Sequence, residues 1–412
     1  MGKSCFGTIF CLIFLTSVAF AADISSTPTD QHIETLEEKD QTPETSGQSA
    51  PLNQPTASGG LTFTPNIEVI LNGQYGYFSK NAANIPGFQT GDRGMRYDKG
   101  FSVQDSAIRF SANVDHKFDG VLTFCILNNN GDYEVELEEA FIKSLDLPFG
   151  ATVKAGRMLP IFGYMNEHHK HDDDFADRPL SYRTYLNDGI SDDGIQVQIV
   201  LPTDFYSEIG GGVFRGHDFP ANAKSNSPGL VTAYARVGGD IGVSHTWRLG
   251  AYYMHAKSNG RDADSLVFIG SNDLYGIDFK YTYSPADDKT TELVVQVEYM
   301  LKNEKGDFYN DITSAAVNTK TSGVYAQAIY KFMKSFRLGY RYAFLDAPRI
   351  PAGFENTSLD AGGRNPRMHS FIAEYRTSEF GRFRLQYNNN KTHNETEQQV
   401  ILQYTVAFGA QD

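Results

Sequence analysis

Phe336-Arg337-Leu338-Gly339-Tyr340-Arg341-Tyr342 places two arginines on one parity and Phe, Leu and two Tyr on the other. Side chains of a strand leave on alternate faces, so this stretch reads as a strand with one ionic and one greasy face. Arg382-Phe383-Arg384-Leu385 repeats the pattern downstream, and Glu134-Val135-Glu136-Leu137-Glu138 repeats it upstream with acids. A soluble β-sandwich has the same period, but its apolar face is its inside. Rows of full charge opposite faces rich in Tyr and Phe suit a lipid-facing band with aromatic girdles around a watery lumen.

Working outward, the same period runs from Leu61 almost to the end of the chain. It is clear in Ile67 to Tyr77, Ile108 to Val114, Ile195 to Leu201, Tyr275 to Tyr283, Leu293 to Leu301, Val324 to Tyr330 and Val400 to Phe408. Short turns alternate with longer polar loops, and the count comes to about sixteen strands. Inside a bilayer every backbone group must find a partner within the protein, which a closed ring with an even number of antiparallel strands achieves. The expected fold is all-β, a transmembrane antiparallel β-barrel without a plug domain. A soluble sandwich is disfavoured because the roughly 350 residues of meander exceed one such domain. Segments 81–99, 302–318 and 347–365 read as extracellular loops.

Composition narrows the class. The chain of 412 residues has a net charge of −14, 13% aromatic residues and 38 Gly. Its acidity argues against nucleic acid as a partner. One positive charge, an apolar run and Ala19-Phe20-Ala21 ahead of Ala22 describe a secretory signal peptide over residues 1–21. Residues 22–60 hold seven acids and one base with almost no aromatics, the composition of a disordered tail, here periplasmic. Removing the leader leaves Cys125 as the one cysteine, so no intrachain disulfide is expected. After residue 22 no apolar run approaches the ~18 residues of a spanning helix. The barrel is therefore expected over 61–412, in the bacterial outer membrane, with lipid and lipopolysaccharide around it.

The longest dense run of charge and histidine, between residues 156 and 196, lies between two alternating segments and must be a long loop. Loops of this length in compact folds are usually functional. We expect it to constrict the lumen over about 163–192. Within it His168, His169, His171, Asp172, Asp174 and Asp177 offer imidazole and carboxylate ligands within eleven residues, counting Glu167. The spacing matches no fixed zinc signature, so metal contact and a purely structural constriction both stay open.

Charges on the polar parity supply a second constellation. Glu134, Glu136 and Glu138 are expected to line the lumen from one strand. Arg337, Arg341, Arg376, Arg382 and Arg384 are expected to line it from strands near the C-terminus. Arg157, Arg178 and Arg183 join them as pore-lining candidates, the last two as partners of the loop acids. Rows of charge in a narrow pore set selectivity by focusing the field. Arginine binds carboxylate and phosphate in bidentate fashion and never deprotonates, so such a row would pass anions. No nucleophile-elbow motif appears, and no enzymatic activity or cofactor is expected.

The motif Lys154-Ala155-Gly156-Arg157 with Pro160-Ile161-Phe162-Gly163, preceded by Glu138-Glu139-Ala140-Phe141, resembles the phosphate-selective-porin-like superfamily of outer-membrane channels. The histidine-rich stretch and Asp192-Asp193-Gly194-Ile195-Gln196 look like a narrower branch of legiobactin-type siderophore porins or metal-linked receptors. The resemblance implies a porin-type channel that imports an iron-siderophore complex or another metal-linked anionic solute, as a monomer or homotrimer. General anion or phosphate diffusion is the alternative.

Overall fold

The computed structural model describes residues 65–409, apart from 130, 131, 225, 264, 289 and 311. The expected leader and tail lie outside the described residues.

The first half of the wall is built from β1 (Asn66–Phe78), β2 (Gly100–Val103), β3 (Ser106–Asn113), β4 (Phe118–Asn129), β5 (Asp132–Ser144), β6 (Ala151–Met158), β7 (Asp192–Val200) and β8 (Tyr206–Phe214). The second half is β9 (Leu230–Ile241), β10 (His245–Ala263), β11 (Leu266–Tyr283), β12 (Glu292–Tyr309), β13 (Ser314–Met333), β14 (Phe336–Asp346), β15 (Arg367–Arg376), β16 (Gly381–Asn390) and β17 (Glu397–Gly409). From β3 onward each strand pairs antiparallel with the next, and β17 returns to β1, from Glu68 opposite Gly409 to Phe78 opposite Gln399. The result is a closed ring of sixteen strands. The four-residue β2 is additional: it pairs with β1 at Gly73 to Gly76, ahead of the β1–β3 contact at Asn66 to Ile70.

Alternation along the strands sorts the wall as the sequence implies. Ile67, Leu71, Tyr75, Ile195, Val197, Ile277, Phe279, Leu338, Phe371, Leu402 and Tyr404 point outward and are exposed. Toward the short-turn end, aromatic pairs gather outside: Phe383 with Tyr404 at 4.3 Å between ring centroids, Phe336 with Tyr375 at 4.9 Å and His245 with Tyr283 at 4.9 Å. An apolar band edged by such rings is a surface built for lipid.

Two local details depart from strict alternation. A bulge between Thr123 and Phe124 of β4 faces Glu139 and Leu137 of β5, so Glu138 is the extra residue. Both Glu138 and Glu139 then point inward, and Phe141 turns inward too, against the expected pattern. Segment 302–318 is not a loop: β12 and β13 run through it as a hairpin, closed around 310–313. β10 to β13 are 18 to 20 residues long. A spanning strand needs only about 9–11 residues, so their upper parts stand above the membrane. β6, β7 and β8 are only 8 or 9 residues long, so the wall is low there.

Candidate functional site

Pro160 stops β6 after Met158, and loop 159–191 turns into the barrel instead of covering its mouth. Its neck is fixed by Asn166, which donates from Nδ2 to the carbonyls of Pro160 (2.7 Å) and Ile190 (3.2 Å) and accepts from Ile190 N at 2.7 Å. Arg178 staples the interior. It donates to Asp173 (2.8 Å) and to the carbonyls of Asp188, Met165 and His168. Burial pushes the Asp173 carboxyl up to about 6 in spite of this neighbouring guanidinium. The short helix Leu180–Tyr185 completes the loop with every residue buried.

The loop's apolar side chains explain why it enters the lumen. Ile161, Phe162, Met165, Leu180, Tyr182, Tyr185, Leu186 and Ile190 join Tyr252, Met254, Leu274, Met300, Tyr325, Leu345 and Met368 of the wall in one buried cluster. Phe175 packs on Ile329 and Ile372, and Ala176 on Phe78 and Ile401. The expected constriction therefore does more than rim the pore: it crosses the lumen and is held on opposite sides.

Polar clamps complete the attachment. His169 lies between Glu138 (Nδ1 to Oε2, 3.0 Å) and Glu139 (Nε2 to Oε2, 3.2 Å), so both ring nitrogens face acceptors and the ring is an imidazolium. Burial alone would lower its pKa, but the two hydrogen bonds prevail and raise it to about 10. Lys170 bridges Asp188 (2.8 Å) and Asp105 (3.3 Å). Glu167 reaches Arg236 (2.7 Å) and Arg248 (2.9 Å), and Tyr182 donates to Glu298 at 3.0 Å. On the far side Asp174 pairs with Arg337 and Asp177 with Arg341, Gln386 and Asn388. Arg384 donates to the Asp173 carbonyl (2.7 Å) and Arg382 to that of His171.

These positions revise several expectations. Arg157 is not pore-lining. It stands opposite Ala140 and Asp193, on the parity of the outward Ile142 and Ile195, and lies 3.5 Å from Asp218. The positive φ of Gly156 (130°) sits beside it, and the next residue, Met158, is buried inward. Arg178 serves the loop's interior, and Arg183 donates to the carbonyl of Gly94 in loop 79–99 at 3.0 Å. Neither lines open water. Arg337, Arg341, Arg382 and Arg384 face inward as expected but meet the loop rather than solvent, while Arg376 is half-exposed beside Glu374. Glu134 faces the mouth, Glu136 pairs with Arg93, and Glu138 is taken by His169 and by the Cys125 thiol (2.7 Å).

The loop's candidate ligands diverge. His168 lies on Tyr164 (4.9 Å), His171 stacks on His169 (5.3 Å), and the exposed Asp172 carboxylate stands 3.9 Å from His171. Asp174 and Asp177 each hold an arginine. Among the described residues no group of three or more His, Cys, Asp or Glu side chains is placed to hold a metal ion.

Above the loop, a cavity of about 1060 Å³ opens between loop 79–99, the tops of β4 and β5, and the segment after β8. Its charges are mixed, including Arg93, Arg96, Lys170 and Arg215 against Asp98, Asp105, Glu134 and Glu136. Around the loop and toward the short turns, the wall is more basic than the sequence reading found. Lys154, Arg236, Arg248 and Lys280 form an arc opposite Arg337, Arg376, Arg382 and Arg384. Lys154 lies over the inward Phe141 ring (5.2 Å), and Lys280 and Arg248 over Tyr164 (4.6 Å each). Wall acids among them include Glu139, Glu208, Asp278, Glu298 and Glu374. The missed bases carry a visible signal: each is a lone cation between apolar neighbours, as in Phe279-Lys280-Tyr281.

No protein-family model matches the chain. An uncharacterized protein of Aquifex aeolicus (strain VF5) is 25% identical over 381 residues, 84% of this chain and 79% of that one. Among solved structures the chain is similar to the outer membrane channel DcaP of Acinetobacter baumannii, with a TM-score of 0.54, 12% identity, and 87% and 100% of the two chains covered. It is also similar to an anion-selective porin from Comamonas acidovorans (TM-score 0.53, 15% identity, 84% and 100%). The trimer form of in-vitro folded OmpT from Vibrio cholerae gives a TM-score of 0.51 at 12% identity, covering 84% and 99%. At such identities the likeness is one of fold: a closed sixteen-strand antiparallel barrel like those of outer-membrane porins.

Proposed function

We propose that this chain is a porin-type channel for small anionic solutes, with loop 159–191 as its restriction. One observation carries the reading: inward-facing lysines and arginines on two opposing arcs of the wall, Lys154 to Lys280 and Arg337 to Arg384, most of them meeting the loop at the restriction itself. In a low-dielectric pore such an arrangement raises local anion concentration and repels cations. The fold shared with a porin described as anion-selective supports it.

Import of an iron-siderophore or other metal-linked anionic solute is the second reading. What favours it is the cavity at the mouth, about 1060 Å³, since pockets for drug-sized ligands run to about 1,000 Å³. On this reading the intact complex would be recognised through its anionic groups, not by a protein metal site. An export leader over 1–21, a periplasmic tail over 22–60 and a homotrimer comparable to the trimer form of OmpT belong to the same proposal.

Reversal potentials in planar bilayers under a KCl gradient test the main reading. Chloride preference is the expected result, reduced by Arg376→Gln together with Lys154→Gln. Cation preference overturns it. Liposome swelling with phosphate and with a ferric siderophore separates the two classes of solute.

A further inference from the structure

We infer that the loop narrows the channel by placing its own carboxylates where a solute's carboxylates would bind, so that a polycarboxylate solute widens the channel by exchange. The inference rests on the anion-channel reading and names the solute class. Three loop acids hold the wall, Glu167 at β9 and β10 and the other two at β14. Glu167 takes Arg236 (2.7 Å) and Arg248 (2.9 Å), Asp174 takes Arg337, and Asp177 takes Arg341. Each of these arginines retains a donor that the loop does not satisfy: Nε of Arg236, Arg248, Arg337 and Arg341 is buried without an acceptor. The guanidinium fork is therefore only partly used, and a bidentate carboxylate suits it better than the contact in place.

Removing the loop carboxylates outright would leave Arg341 without its acidic partner and Arg236, Arg248 and Arg337 with only Glu208, Asp278 and Glu374 of the wall, which is unfavourable. Replacing them with other carboxylates leaves the cations paired, so exchange avoids that cost. Chloride offers no bidentate geometry. A monocarboxylate replaces one clamp while the others hold. Only a solute with two or more carboxylates releases several clamps in a single binding event, because the second contact is made intramolecularly once the first is formed.

The test uses the full chain in planar bilayers, titrated with tricarballylate or acetate at equal carboxylate concentration and ionic strength. Tricarballylate should raise KCl conductance at a concentration at least about tenfold lower than acetate, the factor that 1.4 kcal/mol of extra binding supplies. Glu167→Gln/Asp174→Asn/Asp177→Asn should conduct more than the wild type without either, while His169 and the apolar cluster keep the loop attached. Equal effects of the two acids, or a triple variant that conducts no more than the wild type in KCl alone, each overturn the inference. If the triple variant fails to form a heat-modifiable barrel on a gel, the wild-type titration decides alone. Reversal potentials in the same bilayers keep the two readings apart: anion selectivity without widening by polycarboxylate removes only this inference, and cation selectivity removes both.

Discussion

His169 shows how one side chain ties the loop to the wall. Its two ring nitrogens meet Glu138 and Glu139, and its pKa is raised to about 10 because those hydrogen bonds outweigh burial. A histidine raised in the folded state stabilises fully below its ordinary pKa of about 6.5, and that contribution is lost as pH climbs through the raised value. His169→Gln should thus lower stability at pH 7 by about 3 kcal/mol, the usual cost of breaking a buried ion pair. The difference in melting temperature between wild type and variant should shrink as pH is raised from 7 to above 10, roughly the raised pKa. A difference independent of pH would mean that the imidazolium is not what holds the loop. Glu139 was missed because strict alternation sends it outward. The doubled acid in Glu138-Glu139 is the visible trace of the bulge that brings it in.

Loop 159–191 behaves as an element in its own right, stapled internally by Arg178 and Asn166 before it touches the wall. Gly163 makes its first turn possible. At φ 69° a Cβ there would lie 2.3 Å from both Tyr182 Oη and Glu298 Oε1. Gly163→Ala should leave the barrel assembled but unseat the loop's start, with a cost of about 1–3 kcal/mol from the strained conformation and the close approach. The readout is a lowered melting temperature together with noisier single-channel conductance. Quiet conductance at the wild-type level would show that this turn does not govern how the loop sits. The charges of 167–178 drew the sequence reading toward solvent and metal, whereas Phe162, Leu180, Tyr182 and Leu186 decide where the loop goes. The wall offers them inward-facing apolar partners in Met254, Leu274, Met300, Tyr325 and Leu345, so the lumen is where the loop can hide them.

The ring itself does not depend on the loop at the scale of the whole molecule. Every strand is bonded to its neighbours and β17 closes on β1, so no edge is left for the bilayer to meet. Replacing 165–187 with a short Gly-Ser linker should therefore still give a heat-modifiable barrel of lower thermal stability. Its conductance should rise several-fold as the lumen empties, as expected when a pore's narrowest section is removed. Unchanged conductance would mean that the restriction lies elsewhere.

The barrel was legible because the period of a strand is two, and a bilayer punishes any other assignment of polar and apolar faces. Phe336 to Tyr342 already distinguishes a lipid side from a lumen side, and the same rule yields the approximate number of strands. Arg337, Arg341, Arg382 and Arg384 were located on their face by that rule alone. What they touch was not. Pairing Asp177 with Arg341, or Glu167 with Arg236, joins residues far apart in the chain through the fold of one loop, and local periodicity carries no information about it. Arg157, on the parity of Ala155, and the bases from Lys154 to Lys280 do lie on the faces that the strand period gives them; what they meet is again decided by the fold. Local pattern chose the face of each side chain; only closure of the ring, which brings distant strands around a common lumen, decided which faces meet.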